Sequence, residues 1–472
     1  MDEIAAELGL TWVADHPEEL LGTLTGFDSR MAGSDGEARA ADAVAEAFGE
    51  AGVQDVRRES FPMDAWERGD SSLVASAPAR RAFETVALPY SPAGEVTGPL
   101  VDVGYGTPEE IETAALDGRI ALASTTTPPG GRFVHRMEKF GAASDAGAVG
   151  FVFVNHLPGQ LPPTGTLTFG GEASIPAVGV SHETGERLRD HAVDGTATGA
   201  GGTGVDASES TADGTRQPPD AELSVTAETR PGESHNVVGH LGPETEERLL
   251  AVAHYDAHDI AEGALDNGCG VAVLATAARV LAAADLDRRV TVAAVGAEEV
   301  GLLGAEHLAE TVDLDNVVGV CNVDGAGRFR DLVAMAHTSE ATAAAARRVR
   351  ERTGHPITVE SEPHPFSDQW PFVRRGVPAL QLHSEAAATP AATGGGRGDG
   401  RGRGWGHTHA DTLDKVDTRN VREHGMLAAL AIRELAAAEL PRLDPDATRE
   451  AFVEAEFEVG MRAAGLWPDR WD

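Results

Sequence analysis

Apolar, strand-like runs alternate with helical stretches through the second half of the sequence, and this alternation restricts the fold more than any other feature. The stretches 270–284 and 341–353 have the residue pattern of helices. The apolar runs around them are SHNVVGHL, RLLAVAHYD, RRVTVAAVGAEE, NVVGVCNVDG and GVPALQLHSE. Near-continuous apolar strands between helices are typical of a sheet that is largely parallel and covered on both faces. The sequence therefore predicts an α/β fold with a buried, mostly parallel central sheet.

Several of these runs end on imidazole or carboxylate side chains. His254, the pair Glu298 and Glu299, and Asp324 each come after an apolar run. Ligands of such sheets gather at the carboxyl ends of the strands, so we expect these side chains to meet at one edge. Imidazole together with carboxylate is a ligand set that suits zinc in hydrolytic sites. The pattern thus predicts a hydrolytic metal site.

The spacing of the individual residues adds detail. His254 and Asp256 are two residues apart, so on a strand both side chains project to the same face. One of them can bind a metal while the other accepts a hydrogen bond from the imidazole and fixes its tautomer. Asp266 lies in a glycine-flanked turn that opens a helix. Taken alone, the first pair also fits an ordinary surface pair, and Asp266 also fits a helix cap.

The adjacent carboxylates of Glu298 and Glu299 are more informative. Two neighbouring carboxylates repel each other, and placing both at the end of an apolar strand is unfavourable unless a cation compensates them. A metal could hold one of them while the other stays available as a general base. Towards the C-terminus, His407 and His409 both offer an imidazole, and spacing alone does not choose between them.

The order of these motifs resembles that of a known family. The motifs read HxD, GAxDNxxG, GAEExGLxG, NxDGxG and HTxxDTxD in this sequence. They resemble the two-zinc exopeptidases of the aminopeptidase Y and glutamate carboxypeptidase type, in peptidase clan MH, over roughly residues 1–70 and 221–440. The resemblance implies a phosphorylase/hydrolase-like αβα sandwich and two Zn²⁺ ions per chain, with Co²⁺ or Mn²⁺ as the alternative metals.

The resemblance also implies a set of metal ligands. It assigns His254 and Asp324 to one zinc, Glu299 and His407 to the other, and Asp266 to both as the bridge.

Two further roles follow from the same resemblance. Glu298 would be the general base, and Asp256 would orient His254. His407 rather than His409 matches the histidine of the family, because the usual HTPxDT reads HTHADT here. His409 therefore replaces a proline.

The first half of the chain predicts a second domain. Residues 3–26 and 36–52 have the pattern of amphipathic helices, the second one capped by Ser34 or Asp35. Between 118 and 188, short β-type runs resemble a protease-associated domain, which the Gly-rich, acidic stretch 195–219 extends as a flexible loop. We therefore predict a discontinuous zinc peptidase domain over 1–70 and 221–472, interrupted by a protease-associated domain over 71–220.

The charge balance narrows the range of partners and surroundings. Acidic residues number 76 against 38 basic ones, for a net charge of -38, which argues against nucleic acid as a partner. A chain this acidic repels itself at low ionic strength, and salt screens that repulsion. The composition is therefore typical of a halophilic protein from a salt-loaded cytoplasm.

The remaining features predict a cytoplasmic protein that does not enter a membrane. The first residues, MDEIAAELGL, lack the basic and apolar regions of a signal peptide. We find no apolar run of the roughly 18–20 residues that a membrane-spanning helix needs. The two cysteines, Cys269 and Cys321, do not form a CxxC motif, and we expect both to be buried and reduced.

These observations predict a zinc-dependent exopeptidase that acts on peptides, and the family favours an aminopeptidase. A metallocarboxypeptidase is the first alternative, because Arg397–Arg403, in the Gly/Arg-rich segment 393–406, could hold a substrate carboxylate. A non-catalytic relative is the second, although every matched ligand and the base are present. A serine hydrolase would need a GxSxG motif, which the sequence lacks. The oligomeric state stays open.

Overall fold

The computed structural model describes residues 3–76, 79–195, 220–385 and 405–472. They form two compact units: the larger one runs up to Ala65 and resumes at Pro231, and the smaller one lies between Trp66 and Arg230. Residues 196–219 and 386–404, which hold most of the predicted loop and of the Gly/Arg-rich segment, lie outside the described residues.

Strands and helices are numbered separately, each in chain order. The strands are β1 (Gln54–Glu67), β2 (Ser71–Ala75), β3 (Arg81–Phe83), β4 (Val86–Ala87), β5 (Gly94–Asp102), β6 (Ile120–Ser124), β7 (Gly150–Val154), β8 (Ala177–Val180), β9 (Val193–Asp194), β10 (Asp220–Val225), β11 (Glu228–Leu241), β12 (Arg248–His254), β13 (Arg289–Val295), β14 (Val317–Val323), β15 (Asp331–Met335), β16 (Ile357–Glu360) and β17 (Ala379–Glu385). The helices are α1 (Glu3–Thr11), α2 (His16–Thr25), α3 (Asp35–Glu50), α4 (Pro108–Thr113), α5 (Arg136–Asp145), α6 (His182–Arg189), α7 (Cys269–Ala282), α8 (Leu303–Thr311), α9 (Glu340–Thr353), α10 (Trp370–Val373), α11 (Thr418–Ala437), α12 (Pro445–Glu454) and α13 (Glu458–Ala463).

The helices predicted over 36–52, 270–284 and 341–353 are confirmed as α3, α7 and α9. Ser34 caps α3, since its hydroxyl accepts a hydrogen bond from the backbone N–H of Glu37. The prediction of one helix over 3–26 is wrong, because the chain forms α1 and α2 instead. Pro17 lies in the first turn of α2, where its fixed φ is tolerated, whereas a proline inside a continuous helix would remove a hydrogen bond.

The central sheet of the larger unit is parallel in its middle and antiparallel towards its ends. Its strands follow the order β1-β11-β13-β12-β14-β17-β15-β16. The pairs β12/β13, β12/β14, β14/β17 and β15/β16 are parallel, while β11/β13 and β15/β17 are antiparallel. This mixed sheet confirms the predicted α/β class.

Strand β12 marks the point where the strand order reverses. After β12 the chain passes through α7 to β13 on one side, then through α8 to β14 on the other. Ligands of open α/β sheets bind outside the carboxyl ends of strands at such a switch point. The register pairs Val252 with Asn322, so that His254 and Asp324, each two residues further on, stand level at this edge.

Both faces of the central sheet are covered. Leu249 and Ala251 of β12 belong to one large apolar core together with residues of α7 and α11. Their neighbours Leu250 and Val252 point to the opposite face and are equally buried. Alternate residues that are apolar and buried on both faces require layers of structure on each side of the sheet. This is the predicted sandwich.

One core segment has the length and composition of a membrane span. Residues Ala264–Ala282, which include α7, pass that test, but 94% of the window is buried inside the protein. The expectation that no apolar run reaches such a length is therefore wrong for this stretch, whose burial is that of a core helix. Cys269, at its start, and Cys321 are both buried and unpaired, as predicted.

The smaller unit is built on a second mixed sheet. Its strand order is β3-β2-β10-β5-β6-β7-β8-β4, and β9 pairs with β5. Phe140 of α5 contacts Phe151 of β7 in the apolar core of this unit. The buried Lys139 donates hydrogen bonds to the carbonyls of Ser124 and Thr126, and burial lowers the pKa of its ammonium group to about 7.

Candidate metal centre

Three of the predicted ligands form one cluster at the switch point. His254 is the last residue of β12, Asp324 follows β14, and Asp266 lies in the turn Ala264–Gly268 that precedes α7. His254 Nε2 lies 3.6 Å from Asp266 Oδ1 and 3.8 Å from Asp324 Oδ1. The three side chains can each offer one donor atom to a single metal ion. We call this group the first cluster.

A second cluster lies beside it and contains one residue that was not predicted. His407 Nε2 lies 3.2 Å from Glu299 Oε2, and His258 Nε2 lies 3.1 Å from the same oxygen. The rings of His258 and His407 meet edge to face, with centroids 4.7 Å apart. His258, Glu299 and His407 can each offer one donor atom to a second ion. His258 is the second histidine of the AHYDAHD run, which was its signal in the sequence.

Asp266 contacts both clusters. Its Oδ1 faces His254, and its Oδ2 lies 3.4 Å from His407 Nε2. The same Oδ2 lies 3.1 Å from the guanidinium of Arg328, whose side chain is buried. A carboxylate that offers one oxygen to each cluster has the arrangement of a bridging ligand.

The segment that carries Asp266 is held by two polar side chains. The carboxylate of Asp411 accepts hydrogen bonds from the backbone N–H groups of Leu265, at 2.6 Å, and of Asp266, at 3.1 Å. Burial raises the pKa of Asp411 to about 6. On the other side, Asn267 donates to the carbonyl of Val323. These contacts fix the backbone of the bridging residue.

Asp256 supports the turn that carries Glu298 and Glu299. Its two carboxylate oxygens accept hydrogen bonds from the backbone N–H groups of Glu298, at 3.0 Å, and of Glu299, at 3.2 Å. His254 Nδ1 lies 3.5 Å from Asp256 Oδ1 and 3.2 Å from the backbone carbonyl of Asp256. The predicted role of Asp256 as the orienter of His254 stays a prediction, and the closer acceptor is the carbonyl oxygen of the same residue.

The structure brings His407, and not His409, to the second cluster. His409 is exposed, and its Nδ1 lies 2.9 Å from the carbonyl oxygen of Ile260. His407 adopts a left-handed backbone conformation with φ of 58°, unusual for a residue with a side chain. The arginines Arg397–Arg403 lie outside the described residues.

Carboxylates dominate the electrostatics of the site. Burial raises the pKa of Glu298 well above its ordinary value, and the charges of Glu299, Asp368 and Asp324 raise it further, against the opposing effect of His254. Burial also raises the pKa of Asp368 well above its usual range. Crowding of this kind favours protonated acids unless a cation is bound.

The imidazoles act in the opposite direction. Burial alone would raise the pKa of Glu299, but His258 and His407 hold it well below its ordinary value. Burial opposes a charge on His254, yet Glu298 and the nearby aspartates raise the pKa of this imidazole well above its ordinary value.

The donors fit divalent cations, and zinc in particular. Neither carboxylate oxygen of the buried Asp368 has a hydrogen-bond partner among the described residues, and Glu299 Oε1 has none either. Buried carboxylates without partners are unfavourable unless a charge compensates them. Imidazole nitrogens and carboxylate oxygens, brought together by both clusters, are the donors that zinc accepts.

A small, open cleft lies beside the second cluster. Its lining consists of His258, Ile260, Ala261, Gly263, Asp266, Glu299, His407, Thr408 and Asp411. Among the described residues, this lining contains carboxylates and imidazoles but no arginine or lysine. The cleft therefore suits a ligand with a positively charged group.

Sequence reasoning also missed Arg30, which braces the loop after β12. This guanidinium is 2% exposed and donates to the backbone carbonyls of Tyr255, Glu262 and Gly263, at 2.9, 2.6 and 2.9 Å. A buried arginine whose donors all meet carbonyls has no pattern of its own in the sequence, so no signal could have found it.

Comparisons with known proteins agree with this geometry. Residues 236–432 match the family described as peptidase family M28, and residues 96–188 match the PA domain. Among curated proteins, aminopeptidase YwaD of Bacillus subtilis is 31% identical over 218 residues, which is 46% of this chain and 40% of the relative. Leucine aminopeptidase 2 of Trichophyton rubrum is 26% identical over 79% of this chain and 71% of its own length.

The match to YwaD thus spans less than half of that relative's length, and so does the match to the probable lipoprotein aminopeptidase LpqL of Mycobacterium tuberculosis, at 43%. Among solved structures, a peptidase M28 precursor from Shewanella amazonensis superimposes with a TM-score of 0.72 at 21% identity, covering 94% of this chain and 98% of the other. At this identity the likeness concerns the fold. Fold, motif order and family match agree: residues 236–432 belong to peptidase family M28, and residues 96–188 form a PA domain inserted before them.

Proposed function

We propose that the protein is a zinc-dependent aminopeptidase that uses two metal ions to release N-terminal residues from peptides. The observation that carries this proposal is the pair of donor clusters joined through Asp266, with Glu298 next in the chain to a residue of the second cluster. The names of the curated relatives, which are called aminopeptidases, support the same activity.

The residues of the two clusters have distinct tasks in this proposal. His254 and Asp324 hold one zinc, Glu299 and His407 hold the other, and Asp266 holds both. When bound, the ions supply Lewis acidity, which lowers the pKa of water and polarises the scissile carbonyl.

Glu298 is the general base of the proposed reaction. It accepts the proton of the attacking water and returns it to the leaving amine. Asp256 fixes the base by accepting the backbone N–H of Glu298 at 3.0 Å. Glu298 is partly exposed, which is a requirement for a base that meets water.

The charge of the cleft favours an amino over a carboxyl terminus. Exopeptidases must anchor a charged chain end, and the cleft lining offers Asp266, Glu299 and Asp411 but no arginine or lysine. Arg328 is buried against Asp266, and Arg30 is occupied by backbone carbonyls. An ammonium group is therefore the better match for the described part of the site.

Hydrolysis of a panel of substrates tests the proposal directly. Aminoacyl-anilides, with free amines, and N-blocked peptides, with free carboxylates, would be compared in molar salt while the zinc content is measured on the same sample. We expect release from the free-amine substrates, loss of that release on chelation, and about two zinc ions per chain. Cleavage of only the N-blocked peptides would replace the proposal with a carboxypeptidase and direct attention to Arg397–Arg403.

The role of Glu298 has its own test. Glu298→Gln should keep both zinc ions and lose activity by at least about 100-fold, because general-base catalysis contributes roughly 10²–10⁴-fold. Glu454→Gln, at an exposed position of α12, serves as the matched control and should behave as the wild type. Full activity in Glu298→Gln would remove this residue from the base role.

We also propose a location and a domain division from the sequence. The net charge of -38 supports a cytoplasm rich in salt, where screening relieves the self-repulsion of the chain. The peptidase domain would comprise 1–70 and 221–472, and the protease-associated domain 71–220. Activity and thermal stability that rise with KCl concentration would support the first point, and a loss of both in molar salt would contradict it.

A further inference from the structure

His258 belongs to the second cluster as closely as the residues that the family resemblance assigns to it. Its Nε2 lies 3.1 Å from Glu299 Oε2, while His407 Nε2 lies 3.2 Å from the same oxygen and 3.4 Å from Asp266 Oδ2. His258 is 5% exposed and lines the cleft next to Glu299 and His407. It is therefore an additional imidazole in a group that the sequence predicted to contain only one.

The separations in this cluster match those of donors around one zinc ion. Zinc binds nitrogen and oxygen donors at about 2.0–2.2 Å in a tetrahedral arrangement, which places neighbouring donor atoms about 3.3–3.6 Å apart. The separations of 3.1, 3.2 and 3.4 Å in this cluster lie within about 0.2 Å of this range. In the first cluster the corresponding separations are wider, at 3.6 and 3.8 Å.

We infer that His258 is a direct ligand of the second metal ion, which gives the two metal positions unequal donor sets. The second position is then surrounded by His258, Glu299, His407 and one oxygen of Asp266. The first has only His254, Asp324 and the other oxygen of Asp266. Zinc sites with four protein donors are typically structural, whereas sites with three protein donors keep a position open for water or substrate.

The inequality predicts an order of loading. Zinc fills the second position first and leaves it last, and the first position exchanges its ion more readily and offers the open coordination place. This inference rests on the proposed metal-dependent function, but it concerns metal binding and not turnover. Two zinc ions bound without peptidase activity would therefore contradict the proposed function and leave the inference intact.

The sharpest test uses the wild-type chain loaded with one equivalent of zinc. X-ray absorption at the zinc edge should then report two imidazoles around the ion, from His258 and His407. A single imidazole at one equivalent would overturn the predicted order of loading. An average of one imidazole per ion at two equivalents, instead of the three imidazoles shared by two ions that the inference requires, would show that His258 is not a ligand. This measurement needs no substitution and so does not depend on the folding of a variant.

Titration of zinc against a competing chelator tests the residue itself. The wild type should show two steps, and His258→Ala should weaken the tighter step by more than about 100-fold, since the loss of an outer partner alone costs 10–100-fold. His254→Ala should weaken only the looser step, which reports zinc binding at the first position. His409→Ala, which changes a nearby exposed histidine outside both clusters, should change neither.

A further substitution separates a ligand from a hydrogen-bonding neighbour. The amide of His258→Gln can donate a hydrogen bond to Glu299, but it is a poor zinc ligand. If His258 binds the ion, the glutamine variant loses the tighter step as the alanine variant does. Zinc binding of wild-type strength in His258→Gln, with a weakened step in His258→Ala, would make His258 a positioning residue for Glu299 and refute the inference.

Discussion

Replacing Asp256 by asparagine should damage zinc binding although the residue is not among the proposed ligands. Its carboxylate accepts the backbone N–H groups of both Glu298 and Glu299, at 3.0 and 3.2 Å. Asparagine keeps one acceptor oxygen and turns an NH₂ group towards the other N–H. One charge-assisted hydrogen bond is lost, at about 1.5–3 kcal/mol, and a buried N–H is left unpaired.

Part of this loss is offset in the metal-free chain. The substitution removes one negative charge from an acidic site, which relieves repulsion, so we expect the free energy of unfolding to fall by about 1.5 kcal/mol, the lower end of that range. The zinc-bound form has no such relief, because the cations already compensate the acids. In Asp256→Asn the turn that carries Glu298 and Glu299 is less well positioned. Zinc binding should therefore weaken by roughly 10–100-fold, as is usual when a residue that holds a metal ligand by a hydrogen bond is replaced.

The assay combines a chelator competition for zinc with urea unfolding of the metal-free chain. Asp444→Asn is the matched control, because Asp444 caps α12 through the N–H of Ala447 and asparagine caps helices equally well. Zinc affinity in Asp256→Asn equal to that of the control would refute the view that the carboxylate positions the turn carrying Glu298 and Glu299.

Two further predictions concern protons. Burial raises the pKa of Glu37 from 4.5 to about 8, so its contribution to stability is complete below about pH 4.5 and is lost as the pH rises towards 8. As the pH rises through this window, the free energy of unfolding of Glu37→Gln should therefore increase relative to that of the wild type by about 1.4 kcal/mol per pH unit. A difference between the urea midpoints of variant and wild type that is the same at pH 5, 6.5 and 8 would contradict this. Zinc binding at pH 7 should release at least one proton, because the pKa of His254 lies well above its ordinary value in the metal-free chain. Calorimetry in buffers of different ionisation enthalpy measures the number of protons released. Release of no proton would show that His254 is already neutral.

The fold was largely predictable because it depends on periodicity. The apolar runs that end in His254 and at Val295 became β12 and β13, since residues buried on both faces leave an unambiguous mark in a sequence. The split between α1 and α2 was missed because the pattern of residues 3–26 is that of a continuous helix, whereas Pro17 favours the start of a new helix. The antiparallel direction of the strands towards the ends of the sheet could not be predicted from the sequence either, because strand direction depends on the path of the chain between strands.

Residues of the site could be predicted where they belong to a sequence motif. They could not be predicted where their place depends only on how the chain packs. Motif order predicts Asp266, Glu299 and His407 as ligands, and the structure places these side chains beside one another; that they bind a metal stays a prediction. His258 was overlooked because its place in the second cluster depends on how the loop after β12 turns. Arg30 was overlooked for the same reason, since three of its four carbonyl partners lie more than 200 residues further along the chain.

The way the proposed ligands are held explains how the proposed site can exist before a metal arrives. Asp256 and Asp411 each use both carboxylate oxygens on two consecutive backbone N–H groups, one pair beside Glu299 and one pair beside Asp266. These contacts place the ligands independently of any ion, so the repulsion among the acids is built into the folded chain. A bound cation relieves that repulsion and stabilises only the folded state. The folded chain without metal is therefore a destabilised, ready-made binding site, and zinc should raise its thermal midpoint in proportion to the logarithm of the free zinc concentration.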